Sequence, residues 1–290
     1  MNTVVLLTAL DMEYQAVRRH LEVTRTRSHP AGTVFEVGHL PGTHGEVVIA
    51  TMGEGNLGAA VMTERAIAMF QPRALLCVGI AGGLKDYIAL GDVVVGTKIY
   101  AIHGGCDRDD GFLTRPMAWN GSHELEQFAR QVAQAGTWKH LITQGQQRIS
   151  ASALQTPAVH FNPVASGEVV LAATDTSLTA LLRTNYNDAG AVEMESAGIA
   201  QAAHLNRSLP VLSVRGISDQ ADGDKDIADA AGWRYVAAAH AAAFGMSIVA
   251  MVLGTAVTRT SHSHEVRGSS GRSRRGRACR ANGSPSAAFG

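Results

Sequence analysis

Cysteine is scarce in this chain, with three in 290 residues. Cys77, Cys106 and Cys279 are too few and too scattered for a disulfide framework or a zinc cluster, which points to a reducing compartment. Charged residues make up only 17% of the sequence and aromatics 5%. Net charge is lacking as well: 25 Lys and Arg balance 25 Asp and Glu, so the whole-chain average favours no polyanionic partner. The opening Thr3–Leu10 is apolar, but no basic residue precedes it and it runs into Asp11 and Glu13, unlike a secretory leader. The expectation is a cytoplasmic protein. One apolar run, 236–254, reaches the length of a membrane span and is followed by a basic stretch. Alanine dominates it, His240 interrupts it and no aromatic belt flanks both ends, so a buried helix and no membrane anchor is expected.

Apolar residues, by contrast, are plentiful. At 46% hydrophobic the chain can bury a sizeable core, which excludes a wholly disordered protein. Its charge is unevenly placed. Residues 258–290 hold seven arginines against Glu265 alone, leaving 18 basic and 24 acidic residues in the body, a net charge of −6. That body argues against nucleic acid as a partner. The Ser/Gly/Arg-rich tail has almost nothing to bury, so the expected organisation is one domain over 1–256 and a disordered tail over 257–290.

Short β-branched runs alternate with segments of helical period, the pattern of an α/β fold with a largely buried sheet. Strands are predicted at Val4–Ala9, Val34–Val37, Val47–Met52, Ala74–Ile80, Asp92–Ile102, Val164–Leu171, Ala191–Met194 and Pro210–Ile217. Helices are predicted at Met12–Leu21, Leu57–Phe70, Glu124–Ala135, Thr176–Tyr186, Ser196–His204 and Gly232–Leu253. Segments 103–121 and 138–163 lack clear periodicity and are lid or interface candidates.

Several motifs fail on context. Gly53-Glu54-Gly55-Asn56-Leu57-Gly58 has the letters of a dinucleotide fingerprint, but it is not in the first βα unit and no acid follows about 20 residues on, so a tight turn lining another pocket is expected. The run Asp219 to Asp226 is rich in carboxylates, yet its glycine falls at the wrong place, the sixth position from Asp222 being Ile227, and no Glu closes a calcium loop. His103-Gly-Gly has no nucleophile elbow to serve. No metal site and no cofactor is expected. More telling are carboxylates at the C-terminal ends of three predicted strands, where ligands bind in open α/β sheets: Glu13, the pair Glu193 and Glu195, and Asp219.

Those residues sit in segments that resemble the methylthioadenosine/S-adenosylhomocysteine nucleosidases of the purine nucleoside phosphorylase superfamily. The segments are Thr8-Ala-Leu-Asp-Met-Glu13, Val78-Gly-Ile-Ala-Gly-Gly83 with Gly91-Asp92, Ala191-Val-Glu-Met-Glu-Ser-Ala197 and Val214-Arg-Gly-Ile-Ser-Asp219. The resemblance spans about residues 3–254 and implies a three-layer α/β fold with a mixed central sheet flanked by helices, the expected partners being a small nucleoside substrate and a second copy of the chain in a homodimer. It implies that Glu13 activates the attacking water and Asp219 protonates the purine at N7. Met194 and Glu195 match ribose-gripping positions, with Glu193 and Ser218 beside them, and Val170 and Leu171 match base contacts. Where relatives have an aromatic at Val170 and a hydroxyl residue at Ile80, this chain is aliphatic, so Phe161 is a candidate to stack on the base instead.

Such chemistry needs this set. Breaking a ribosyl C–N bond passes through an oxocarbenium-like centre, so one group neutralises the leaving base while another delivers oxygen. The implied reaction is hydrolysis of a purine nucleoside or thionucleoside. A phosphorylase of the same fold and a nucleotide-sensing, non-catalytic module are the alternatives. Phosphorolysis would need Arg and hydroxyl donors gathered around an oxyanion, where the first loop offers Asp11 and Glu13.

Overall fold

The structure, a computed structural model, describes residues 2–109, 111–142 and 156–254. The tail expected to be disordered, and half of the unpatterned stretch 138–163, lie outside the described residues. In chain order the strands are β1 (Thr3–Thr8), β2 (Glu22–Ser28), β3 (Val34–His39), β4 (Glu46–Thr51), β5 (Ala74–Gly83), β6 (Val93–Ala101), β7 (Gly105–Arg108), β8 (Gly111–Thr114), β9 (Met117–Asn120), β10 (Val159–Ser166), β11 (Ala191–Glu193) and β12 (Val211–Asp219). The helices are α1 (Asp11–Arg18), α2 (Asn56–Phe70), α3 (His123–Ala135), α4 (Ser177–Asn185), α5 (Ser196–Leu205), α6 (Lys225–Ala231) and α7 (Trp233–Leu253).

One mixed sheet runs in the order β11-β10-β6-β12-β5-β1-β4-β3-β2, with β9 added against β6, while β7 and β8 form a separate hairpin. All six residues of β1 and all nine of β12 are buried, as expected where helices cover both faces of parallel strands. Successive side chains alternate between faces. Val4 and Leu6 join the core beneath α1, α3 and α7, whereas Val5 and Leu7 join the core beneath α2 and α5. The result is the expected three layers.

Helix α7 is long and apolar enough to cross a membrane, yet 83% of its most apolar window is buried within the fold. His240 is part of that core, with Nδ1 2.6 Å from the Gly91 carbonyl. A Cβ on Gly216 would lie 2.0 Å from the Ala237 carbonyl oxygen, so glycine at this point of β12 is what lets α7 lie against the sheet. Full burial of a side chain such as Phe244 in that contact contributes roughly 1.5–3 kcal/mol.

The strand expected at Val164–Leu171 instead occupies Val159–Ser166. Val164–Ser166 pair with both β6 and β11, and the chain leaves the sheet at Gly167. Pro163 sits where the register with β6 shifts, the kind of irregularity at which a residue without an N–H is tolerated. Strand β2, the short strands β7–β9 and helix α6 are additions to the sequence reading. β2 is an edge strand of sequence Glu-Val-Thr-Arg-Thr-Arg-Ser with almost every residue exposed, so it carries no apolar alternation to find, and its charges blunt a free sheet edge.

Candidate active site

The C-terminal ends of β1, β5, β11 and β12 converge because β5 pairs in parallel with β1 on one side and with β12 on the other, and touches β11 at its end. A cavity of about 290 Å³ opens there. Its wall includes Glu13, Ile80, Val170, Leu171, Glu193, Met194, Glu195, Ser218 and Asp219. The structure thus brings together nine of the ten positions singled out in the sequence. Phe161 is the exception. It lies on β10 against the core near α3, with the Arg130 guanidinium 4.2 Å over its ring, so the proposed aromatic substitute for Val170 is corrected: the cavity wall there is aliphatic.

Glu13 is 2% exposed and bound on both oxygens. Oε2 accepts the Ala9 and Leu10 N–H groups at 2.8 and 2.9 Å, and Oε1 accepts the Ile80 N–H at 2.8 Å. Ile80 therefore serves through its backbone, which explains how an aliphatic side chain is tolerated at that position. Burial pushes the Glu13 carboxyl above its ordinary 4.5, against the opposing pull of Arg215 and the three N–H groups. A Cβ on Gly79 would come within 2.7 Å of both Glu13 Oε1 and Arg215 Nη1. Glycine in the Val-Gly-Ile-Ala-Gly-Gly segment keeps room for these two charged groups.

Arg215, 1% exposed, is the hub of the site and went without a role in the sequence reading. Its Nη2 donates to Glu193, to Ser196 Oγ at 3.0 Å and to Cys77 Sγ at 2.8 Å; Nη1 donates to Glu195 Oε2 at 3.3 Å; Nε donates to Ser213 Oγ at 3.1 Å. Glu193 also accepts the Glu195 and Ser196 N–H groups at 3.0 Å, which satisfies the exposed amides at the start of α5. In the Val-Glu-Met-Glu segment the two acids therefore divide their work. Glu193 holds Arg215 and the helix start, and Glu195 faces the cavity.

Glu195 accepts the Gly55 N–H at 3.3 Å. That bond comes from the Gly53-Glu54-Gly55 turn, and Glu54 lines the cavity, so the glycine-rich segment is the pocket-lining turn expected of it. Burial first, and then the Glu193 carboxylate, push Glu195 up from 4.5 to about 8, against the pull of Arg215. Asp219, 3% exposed, accepts from Ser218 Oγ at 2.8 Å, the Ala221 N–H at 2.9 Å and the Lys225 ammonium at 2.9 Å. Lys225 and Arg234 complete the wall. Lys225 was missed because it lies in the acidic run after Asp219, and Arg234 because it falls in the first turn of a helix otherwise marked only by its apolar residues.

The family follows from a match over nearly the whole domain: the model of the phosphorylase superfamily covers residues 3–250. The chain belongs to that superfamily. Within it the chain is a member of the 5′-methylthioadenosine/S-adenosylhomocysteine nucleosidase family, being 31% identical over 258 residues to the family's protein from Chromohalobacter salexigens, across 88% of this chain and all of the relative. A superfamily structure from Neisseria meningitidis, the same nucleosidase in complex with methylthio-immucillin-A, superposes with a TM-score of 0.70 at 26% identity, covering 86% of this chain and 99% of that one. A further superfamily relative, the ATP nucleosidase Cap17 of Escherichia coli, is 25% identical over 77% of this chain and 47% of its own length.

Proposed function

We propose that the protein hydrolyses the N-glycosidic bond of a purine nucleoside or thionucleoside such as 5′-methylthioadenosine or S-adenosylhomocysteine, releasing the free base. Glu13 takes the proton of the attacking water, Asp219 delivers a proton to the departing purine, and Glu195 grips the ribose hydroxyls. Met194 packs beside the sugar, and Val170 and Leu171 flank the base. No step in this scheme calls for a metal or a cofactor.

The state of Arg215 carries the choice of water over phosphate. Phosphorolysis needs cationic donors free to surround an oxyanion, and the guanidinium here is already bound to Glu193, Glu195 and three other side-chain atoms. A phosphate entering beside Glu13 would also meet like charge, a repulsion of about 4 kcal/mol per charge pair at about 4 Å and an effective dielectric of about 20. Water carries no such penalty. Base release from a purine nucleoside is expected without phosphate, yielding free sugar, at a rate unchanged by tens of millimolar phosphate. Strict phosphate dependence with a sugar 1-phosphate as product would overturn the hydrolase reading.

Glu195 adds a pH signature to this scheme. A carboxyl accepts from two hydroxyls most strongly when ionised, so a ribose-bearing ligand favours the charged form that burial and Glu193 disfavour. Ligand binding then expels a proton. The affinity for a non-hydrolysable nucleoside analogue is expected to rise with pH up to about 8 and level off above. Calorimetric titrations across that range check this, and affinity independent of pH would remove Glu195 from the ribose contact.

A homodimer belongs to the same proposal. Leu57 and Val61 on α2, Phe112 and Leu113 in the β7–β8 hairpin and Val170 beside the cavity are large apolar side chains left exposed, and a second copy covering them is expected to give a solution mass twice the 30.5 kDa of one chain.

A further inference from the structure

Asp219 presents a difficulty if it is the sole acid for the leaving base. Its side chain is 4% exposed, and its oxygens already accept from a hydroxyl, an amide N–H and an ammonium. It has little direct access to solvent from which to recover a proton between turnovers. Lys225, at the start of α6, has that access. Its Nζ is 2.9 Å from Asp219 Oδ2, its side chain is 21% exposed, and it lines the cavity.

We propose that Lys225 supplies, through Asp219, the proton that the departing purine takes up, so that the general acid is a lysine–aspartate pair. This rests on the nucleosidase reading above. Among the described residues the ammonium is also ion-paired to Asp229 on α6, 3.8 Å from Nζ, and through it to Arg234 on α7, which lies 3.9 Å from that acid's other oxygen. Asp229 and Arg234 largely offset one another, leaving Asp219 as the close partner of the ammonium.

As the C1′–N9 bond breaks, its electron pair moves onto the purine and raises the basicity of N7. Asp219 gives a proton to N7 and receives one from Lys225 Nζ. Water forms the new bond to C1′ and loses a proton to Glu13. Lys225 then regains a proton from solvent and Glu13 releases its own, so nucleoside plus water becomes free base plus sugar. Lys225 acts through Asp219 and does not touch the reacting bond, so it is a positioning and proton-supplying residue.

Lysine and arginine separate the two roles the ammonium could play. Arg keeps the charge and the hydrogen bond but does not give up a proton near neutral pH. Lys225→Met and Lys225→Arg are to be compared with the wild-type full chain by steady-state base release at neutral pH, with melting temperatures as the control for folding. Both variants are expected to lose about 10²-fold in kcat with KM changed less than about threefold and with melting temperatures near that of the wild type. An Arg variant with half the wild-type kcat or more would overturn the relay, because charge alone would then suffice, and so would a Met variant at the wild-type rate. If the Met variant fails to fold, the Arg variant decides. A wild-type protein that releases no base from purine nucleosides would sink the nucleosidase reading itself, a result distinct from either.

Discussion

Glu13→Gln is expected to lower kcat for base release by about 10²- to 10⁴-fold, the usual worth of a positioned general base. The change is nearly isosteric, so shape is retained while the ability to take a proton is lost. One oxygen of Gln can still accept the Ala9 and Leu10 N–H groups, but its NH₂ would then face the Ile80 N–H now bound by Oε1. That single orphaned donor costs about 1–3 kcal/mol, a lowering of the melting temperature by a few degrees for a domain of this size. The expected result is a folded protein with a collapsed rate. Because burial raises the wild-type Glu13 carboxyl above 4.5, the base is ionised only at higher pH than an ordinary glutamate, and the acid limb of the wild-type rate profile should lie correspondingly high. Base release by the Gln variant within tenfold of wild type would remove Glu13 from the reaction.

The second large effect is on stability. Arg215→Met replaces the guanidinium with a side chain of similar length and no charge, leaving Glu13, Glu193 and Glu195 buried around the vacated position. Removing one partner from a buried ion pair typically costs about 3–5 kcal/mol, because the other charge stays behind without compensation. Here the remaining acids also repel each other. The sign of the pH dependence follows: burial already raises Glu13 and Glu195 against the pull of Arg215, so without that pull the folded variant holds protons on these two carboxyls more tightly than the unfolded chain does and its stability falls as pH rises. Urea unfolding is expected to show the deficit most strongly at pH of about 8 and less at about 5. A deficit below about 1 kcal/mol at the higher pH would mean that Arg215 does not hold the site together.

Much of this site was legible in the sequence, for a physical reason. Parallel strands buried on both faces give continuous apolar runs such as Val4–Leu7 and Ala74–Val78, and the acids that end them stand out against that background. Glu13, Glu193, Glu195 and Asp219 were found that way. Arg215 was not, although it lies in the same strand as Asp219: a cation inside an apolar strand gives no hint of its partners until β12 is set between β5 and β6. Phe161 was misjudged for a related reason. Its side chain belongs to the face packed on α3 because the strand runs from Val159, and the shift of the expected strand by five residues hid that face. Lys225 was passed over as one charge among Asp222, Asp224 and Asp226, its neighbours in sequence, rather than as the partner of the Asp219 it meets in space.

The strand β5 lies between partners drawn from both ends of the domain, β1 at its start and β12 near its end. Its pairing with β12 closes a loop of well over a hundred residues, an ordering cost that no local contact repays in advance. Neither the N-terminal half, which holds Glu13, nor the C-terminal half, which holds Glu195 and Asp219, can assemble the cavity alone. Function in this chain is therefore an all-or-none property of the complete topology, and a nascent chain still short of β12 carries Glu13 as an idle carboxylate.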